Sequence, residues 1–150
     1  MNKRIVIKTI LYLLVVIWMG VIFYFSNMNR DDSDDTSKGL LYKIVSVSNV
    51  SDDKIDDVVE KYNVVIRKIA HISEYFILSI LVYLSLIYSD ISINSSIIIS
   101  IIVCILYSIC DEMHQLFVGR GGQVMDVFID SIGIFTVSYT HLTLPTILLV

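Results

Sequence analysis

Four long apolar runs dominate the chain, at residues 5–25, 69–88, 97–117 and from residue 124 onward. Each of the first three holds about 20 residues, which rise about 30 Å as a helix and so match the hydrocarbon core of a bilayer. The first run is too long for the apolar region of a signal peptide, and no small-residue cleavage site follows it. The pattern predicts an all-α, polytopic membrane protein with about four transmembrane helices.

The segment between the first two runs, residues 26–68, is predicted to be a polar loop that carries amphipathic helices. Apolar residues recur at helical spacing along its second half, which predicts a helix lying on the membrane surface and running into the second span. A shorter amphipathic helix is predicted around residues 40–45, and the acidic stretch DDSDD at 31–35 is predicted to be a solvated turn. The recurring apolar positions are Ile55, Val58, Val59, Tyr62, Val65, Ile66 and Ile69.

Composition supports a membrane protein and excludes several other classes. Apolar residues make up 55 % of the chain and charged residues only 17 %, whereas a typical soluble domain is 45–50 % apolar. A cytosolic enzyme, a disordered tail and a disulfide-stapled secreted module are therefore excluded. The net charge is −4 and the basic residues form no cluster, so no nucleic-acid partner is expected.

Basic residues before the first run predict the orientation of the chain. Lys3, Arg4 and Lys8 favour a cytoplasmic N-terminus by the positive-inside rule. The loop 26–68 then lies outside the cell, although it also contains seven basic residues, diluted among nine acidic ones. Both chain ends would be cytoplasmic after four spans.

Acidic residues outside that loop require an explanation, because an ionised side chain deep in a bilayer costs about 2.5–3.5 kcal/mol. Nine of the 15 acidic residues lie in the loop, and of the remaining six, five fall inside or at the ends of apolar runs. Those five are Glu74, Asp111, Glu112, Asp126 and Asp130.

Helical spacing arranges these acids and their polar neighbours on three faces. The second span begins with one such face, the third span ends with another, and the fourth begins with a third. Because successive spans alternate in direction, all three faces must lie in the same leaflet, whichever way the protein is inserted. We therefore expect Glu74, Asp111 and Asp126 to meet in one cluster. The faces comprise Arg67, His71, Glu74 and Tyr75, then Asp111, His114 and Gln115 with Glu112 beside them, then Asp126, Asp130 and Gly133.

Two interpretations of this cluster remain open. Ion pairs can hold membrane helices together, but each polar contact contributes only about 0.6–2 kcal/mol. The alternative is a ligand or catalytic site in which some carboxyl groups are protonated, or in which a metal ion, a relayed proton or a cationic ligand balances their charge. The number of carboxylates favours such a site.

The order and spacing of these motifs resemble the VanZ-like family of bacterial integral membrane proteins. The relevant segments read RKIAHISEY (67–75), DEMHQLFVGR (111–120) and DVFIDSIG (126–133). The resemblance implies a multi-pass protein of the bacterial plasma membrane, and the family's name comes from low-level resistance to the glycopeptide antibiotic teicoplanin. The functional positions it implies are Lys68, His71, Glu74, Asp111, Glu112, Gln115, Arg120, Asp126 and Asp130.

The first function consistent with this resemblance is an envelope-modulating binding protein. An outer-leaflet polar site would bind a lipid headgroup or a cell-wall precursor and so lower susceptibility to teicoplanin-type antibiotics. Lys68 and Arg120 would hold phosphate, and Gln115 and Asp130 would complete the ligand-binding set.

The second function is a metal-dependent membrane hydrolase or transferase acting on a lipid-linked substrate. His71 would be the general base, oriented by Glu74, and a divalent metal ion would be held by Asp111, Glu112 and Asp126. A proton-coupled transporter is a third alternative, which would require an oligomer because four spans contain no internal repeat.

The C-terminal segment departs from the family pattern. The decapeptide VSYTHLTLPT, residues 137–146, resembles the translation of a transposase adapter used to prepare sequencing libraries. We therefore expect the VanZ-like domain to comprise residues 1–136 and residues 137–150 to be non-native.

Overall fold

The computed structural model describes residues 3–27, 30–47, 55–118 and 124–147. Within these ranges the chain forms five helices, so the predicted all-α class is confirmed: α1 (Lys3–Ser26), α2 (Arg30–Val47), α3 (Ile55–Ile87), α4 (Ile93–Phe117) and α5 (Val124–Ile147). Three stretches are long and apolar enough to cross a membrane, namely α1, residues Lys61–Ile87 of α3, and α4. They correspond to the first three apolar runs.

Helix α3 lies at the centre of the bundle and contacts each of the other four helices. Its 33 residues extend about 50 Å, well beyond the roughly 30 Å of a hydrocarbon core. The amphipathic stripe that begins at Ile55 therefore forms the first turns of α3 rather than a separate element. Helix α3 is therefore one continuous helix. Its first turns contain the apolar stripe predicted within the polar loop, and the rest contains the second candidate span.

Helix α2 packs against the first turns of α3. Leu41 and Val59 are buried, and the Tyr42 hydroxyl donates a 2.6 Å hydrogen bond to Asp56 Oδ1. The Asp56 carboxylate raises the pKa of Tyr42, first by accepting this hydrogen bond. These contacts hold α2 along one side of α3.

The prediction of a solvated turn at residues 31–35 is wrong, because these residues lie within α2. Acidic residues in the first turn of a helix interact favourably with the helix dipole, so an Asp-rich stretch can begin a helix as readily as it can form a turn. The short helix predicted around residues 40–45 is accordingly an 18-residue helix.

Small residues allow the helices to approach closely along their inner faces. Ser100, Cys104 and Ser108 are buried along α4. On α5, a Cβ added at Gly133 would overlap the Ile72 carbonyl oxygen of α3 and lie 3.0 Å from the Phe76 nitrogen. The close packing of α3 against α5 therefore depends on a glycine.

Large apolar side chains cover the outer faces. On α5 they recur on the face opposite Gly133, and similar stripes run along α1 and α4. Lipid is the environment in which such surfaces are stable. The exposed side chains on α5 include Phe128, Ile132, Phe135 and Tyr139.

Candidate functional site

A buried polar cluster lies where α3, α4 and α5 meet. The Ser108 hydroxyl donates a 2.6 Å hydrogen bond to Asp130 Oδ2, and Asp130 Oδ1 lies 3.6 Å from His71 Nδ1. Gln115 Nε2 donates a 3.2 Å hydrogen bond to Asp111 Oδ2 within α4. Five residues form this polar cluster: His71, Asp111, Glu112, Gln115 and Asp130.

Burial separates this cluster from an ordinary charged surface. Asp111, Glu112 and Gln115 are 4–5 % exposed and Asp130 is fully buried. Oδ1 of Asp111 and Oδ1 of Asp130 accept no hydrogen bond from any described residue. Buried carboxylate oxygens normally have a partner, so these two atoms indicate a place where a ligand, an ion or water completes the structure.

A cavity of about 310 Å³ opens beside the cluster, between α1, α2, α3 and α4. Its volume lies at the lower end of the range typical of small-molecule sites. Its lining combines apolar and polar side chains. The lining residues are Ile22, Phe25, Ser26, Thr36, Ser37, Leu40, Ile66, Arg67, Ala70, His71, Glu74 and Asp111.

Helix α1 is tied to the site by two hydrogen bonds to backbone carbonyls. Trp18 Nε1 donates to the Glu74 carbonyl oxygen at 3.0 Å, and the Tyr107 hydroxyl donates to the Met19 carbonyl oxygen at 2.6 Å. These bonds link α1 to α3 and α4, so the cavity wall formed by the end of α1 has a fixed position.

The structure brings most of the predicted site residues together. His71, Glu74 and Asp111 line the cavity, while Glu112, Gln115 and Asp130 are buried. Asp126, one turn before Asp130 on α5, is partly exposed and interacts electrostatically with the Asp130 carboxyl.

Neither predicted phosphate-binding residue is found in the described part of the cavity wall. Lys68 is exposed on α3 and is not among the lining residues, whereas its neighbour Arg67 lines the cavity. Arg120 lies outside the described residues. His114, which shared the predicted face of α4, packs its ring 4.7 Å from that of Phe23 on α1.

Several residues of the site were not among those predicted from the sequence. Ser108 is one helical turn before Asp111 and therefore shares its face, a signal that the sequence contained. Thr36 and Ser37 enter the cavity wall from α2. Their position could not have been predicted while the start of α2 was taken to be a turn.

The fold and the site together define a helical membrane protein with a buried polar cluster beside an amphiphilic cavity. A family model described as VanZ/LLP1 matches residues 10–144, which is most of the chain. The chain belongs to the VanZ/LLP1 family. Comparisons with curated proteins and with solved structures returned no match.

Proposed function

We propose that this VanZ-family protein binds the phosphate-bearing headgroup of an envelope lipid or lipid-linked cell-wall precursor in the outer leaflet. By doing so it would lower susceptibility to teicoplanin-type glycopeptide antibiotics. The single observation that supports this proposal is the amphiphilic cavity beside the buried polar cluster.

The lining of the cavity offers groups suited to both parts of an amphiphilic ligand. Ile22, Phe25 and Leu40 offer apolar surface for the first carbons of a lipid chain, and Arg67 offers a guanidinium suited to phosphate oxygens. Glu74 and Asp111 offer carboxylates for hydroxyl, amide or ammonium groups of the headgroup. A cavity of about 310 Å³ holds a headgroup rather than a whole lipid, whose chains would remain in the bilayer.

Binding of a polyprenyl phosphate tests this proposal directly. Purified protein should retain the polyprenyl phosphate in native mass spectrometry and should prefer it to the uncharged polyprenol of the same length. Arg67→Gln should abolish that preference, because it removes the cation in the cavity wall. Lys68→Gln is the matched control, since it removes the neighbouring charge from an exposed position. Equal loss in both variants, or no preference in the wild type, would contradict the proposal.

A metal-dependent hydrolase or transferase acting on a lipid-linked substrate is the second candidate function. It is favoured by the His71 imidazole in the cavity wall, since imidazole is the commonest general base. Substrate would enter through the same cavity, which His71 lines.

We further propose that α5 forms a fourth span and that both chain ends are cytoplasmic in the plasma membrane. In a variant lacking Cys104 and Cys110, Asp35→Cys should react with a membrane-impermeant maleimide in intact cells. Asn94→Cys should react only after permeabilisation, because the start of α4 would be cytoplasmic. The reverse pattern would place the cavity in the inner leaflet and overturn the outer-leaflet part of the proposal.

The proposed origin of residues 137–150 in an adapter stays a prediction. Helix α5 continues without interruption past Thr136 to Ile147, and the family match extends to residue 144. An apolar helix can accommodate a foreign apolar segment, so continuity of the helix is compatible with either origin.

A further inference from the structure

We propose that His71, Glu112 and Asp130 form a binding site for one divalent transition-metal ion. Each residue offers one ligand atom, and these atoms all lie within 4.8 Å of one another. The three residues come from α3, α4 and α5 respectively. This ligand set differs from the one predicted from the sequence, which combined Asp111, Glu112 and Asp126.

The distances are close to those of a metal centre. Ligands that bind one ion at about 2.1 Å lie about 3–4 Å apart. His71 Nδ1 and Asp130 Oδ1 already lie 3.6 Å apart, which is too long for a hydrogen bond but matches this range. Only small side-chain movements would bring all three atoms around an ion.

A second observation points to a ligand at this position. Asp130 is fully buried, and its Oδ1 atom faces His71 while accepting no hydrogen bond from any described residue. The other carboxylate oxygen, Oδ2, accepts a hydrogen bond from the Ser108 hydroxyl. This bond fixes the direction of Oδ1. Supporting hydrogen bonds of this kind orient the ligands in metal sites.

The donor set selects the class of ion. One imidazole nitrogen with two carboxylate oxygens suits Zn²⁺ or Mn²⁺ better than Mg²⁺ or Ca²⁺, which prefer oxygen ligands alone. Three protein ligands leave at least one coordination position open. Because His71 also lines the cavity, that position would be accessible to a phosphate or to water there.

Metal titration of the purified protein tests the inference without any lipid. Protein carrying a tag without histidine is stripped with a chelator and titrated with Zn²⁺ against a chromogenic competitor. Wild type should bind one Zn²⁺ per chain. Glu112→Gln, Asp130→Asn and His71→Ala should each weaken binding at least tenfold. Asp126→Asn is the matched control, since it changes the same group one turn away on α5, and it should stay within threefold of wild type.

Two further measurements keep the inference falsifiable if a variant folds poorly. Circular dichroism and elution volume identify such variants, and wild-type protein loaded with Co²⁺ should show the visible absorption of a site with nitrogen and oxygen ligands. Absence of stoichiometric Zn²⁺ binding, or equal losses in Asp126→Asn and Asp130→Asn, would overturn this ligand set. The inference rests on the proposed site but not on its lipid ligand. Metal binding without polyprenyl phosphate binding would refute the proposed function alone, and the converse would refute the metal site alone.

Discussion

Gly133→Ala should strongly destabilise the protein. The added methyl group would overlap the Ile72 carbonyl oxygen and approach the Phe76 nitrogen, and backbone atoms within a helix cannot move aside as a flexible side chain can. Helices α3 and α5 would have to move apart, which should lower the free energy of unfolding by about 2–3 kcal/mol. Thermal unfolding in detergent, followed by circular dichroism, should show a lowered midpoint, and membranes should contain less protein.

Gly20→Ala supplies the matched control for this substitution. A Cβ at Gly20 meets no atom within 4 Å, and alanine favours a helix more than glycine does. Its stability should therefore equal or slightly exceed that of wild type. Equal destabilisation by the two substitutions would show that the α3–α5 contact does not depend on Gly133.

Substitutions in the cavity wall should abolish function while leaving the protein in the membrane. His71→Ala, Glu74→Gln and Asp111→Asn each remove charge or a titratable group from a side chain that lines the cavity. We expect normal accumulation by immunoblot of membranes. The proposed protection against teicoplanin, measured as the inhibitory concentration for an expressing strain, should be lost.

Leu78→Ala is the comparison variant, for which we expect reduced accumulation in the membrane. Leu78 is fully buried in the apolar core, so truncation should cost about 2–5 kcal/mol and reduce accumulation. If the main role of the polar residues were to hold the helices together, removing one partner of an ion pair would cost about 3–5 kcal/mol. Loss of the three polar variants from the membrane, with survival of Leu78→Ala, would show that the cluster stabilises the fold and is not a ligand site.

Much of the architecture could be predicted from hydropathy. Apolar runs long enough to cross the hydrocarbon core of a bilayer have few alternatives to a membrane helix, so the first three candidate spans follow directly. Alternation of spans also predicted a meeting of three polar segments: the start of the second apolar run, within α3, the end of α4 and the start of α5. That argument needs no side-chain detail, and the shared environment of His71 and Asp130 agrees with it.

Hydropathy could not predict which of two neighbouring polar residues faces the site. Arg67 and Lys68 differ by 100° around the helix, and the sequence does not state which of them faces α1 and α2. The structure places Arg67 in the cavity wall. Similarly, Asp126 and Asp130 share a face of α5, but only Asp130 is deep enough to be fully buried, because the close approach at Gly133 draws that turn against α3.

The hydrogen bond from Trp18 to the Glu74 carbonyl has a practical consequence. Trp18 is the only tryptophan of the chain, and its indole is bonded to the backbone of a residue that lines the cavity. Its fluorescence therefore arises from a single, known location next to the site. The unmodified protein thus contains its own optical probe, through which occupancy of the cavity can be followed in detergent or in protein-free liposomes after reconstitution, without attaching a label.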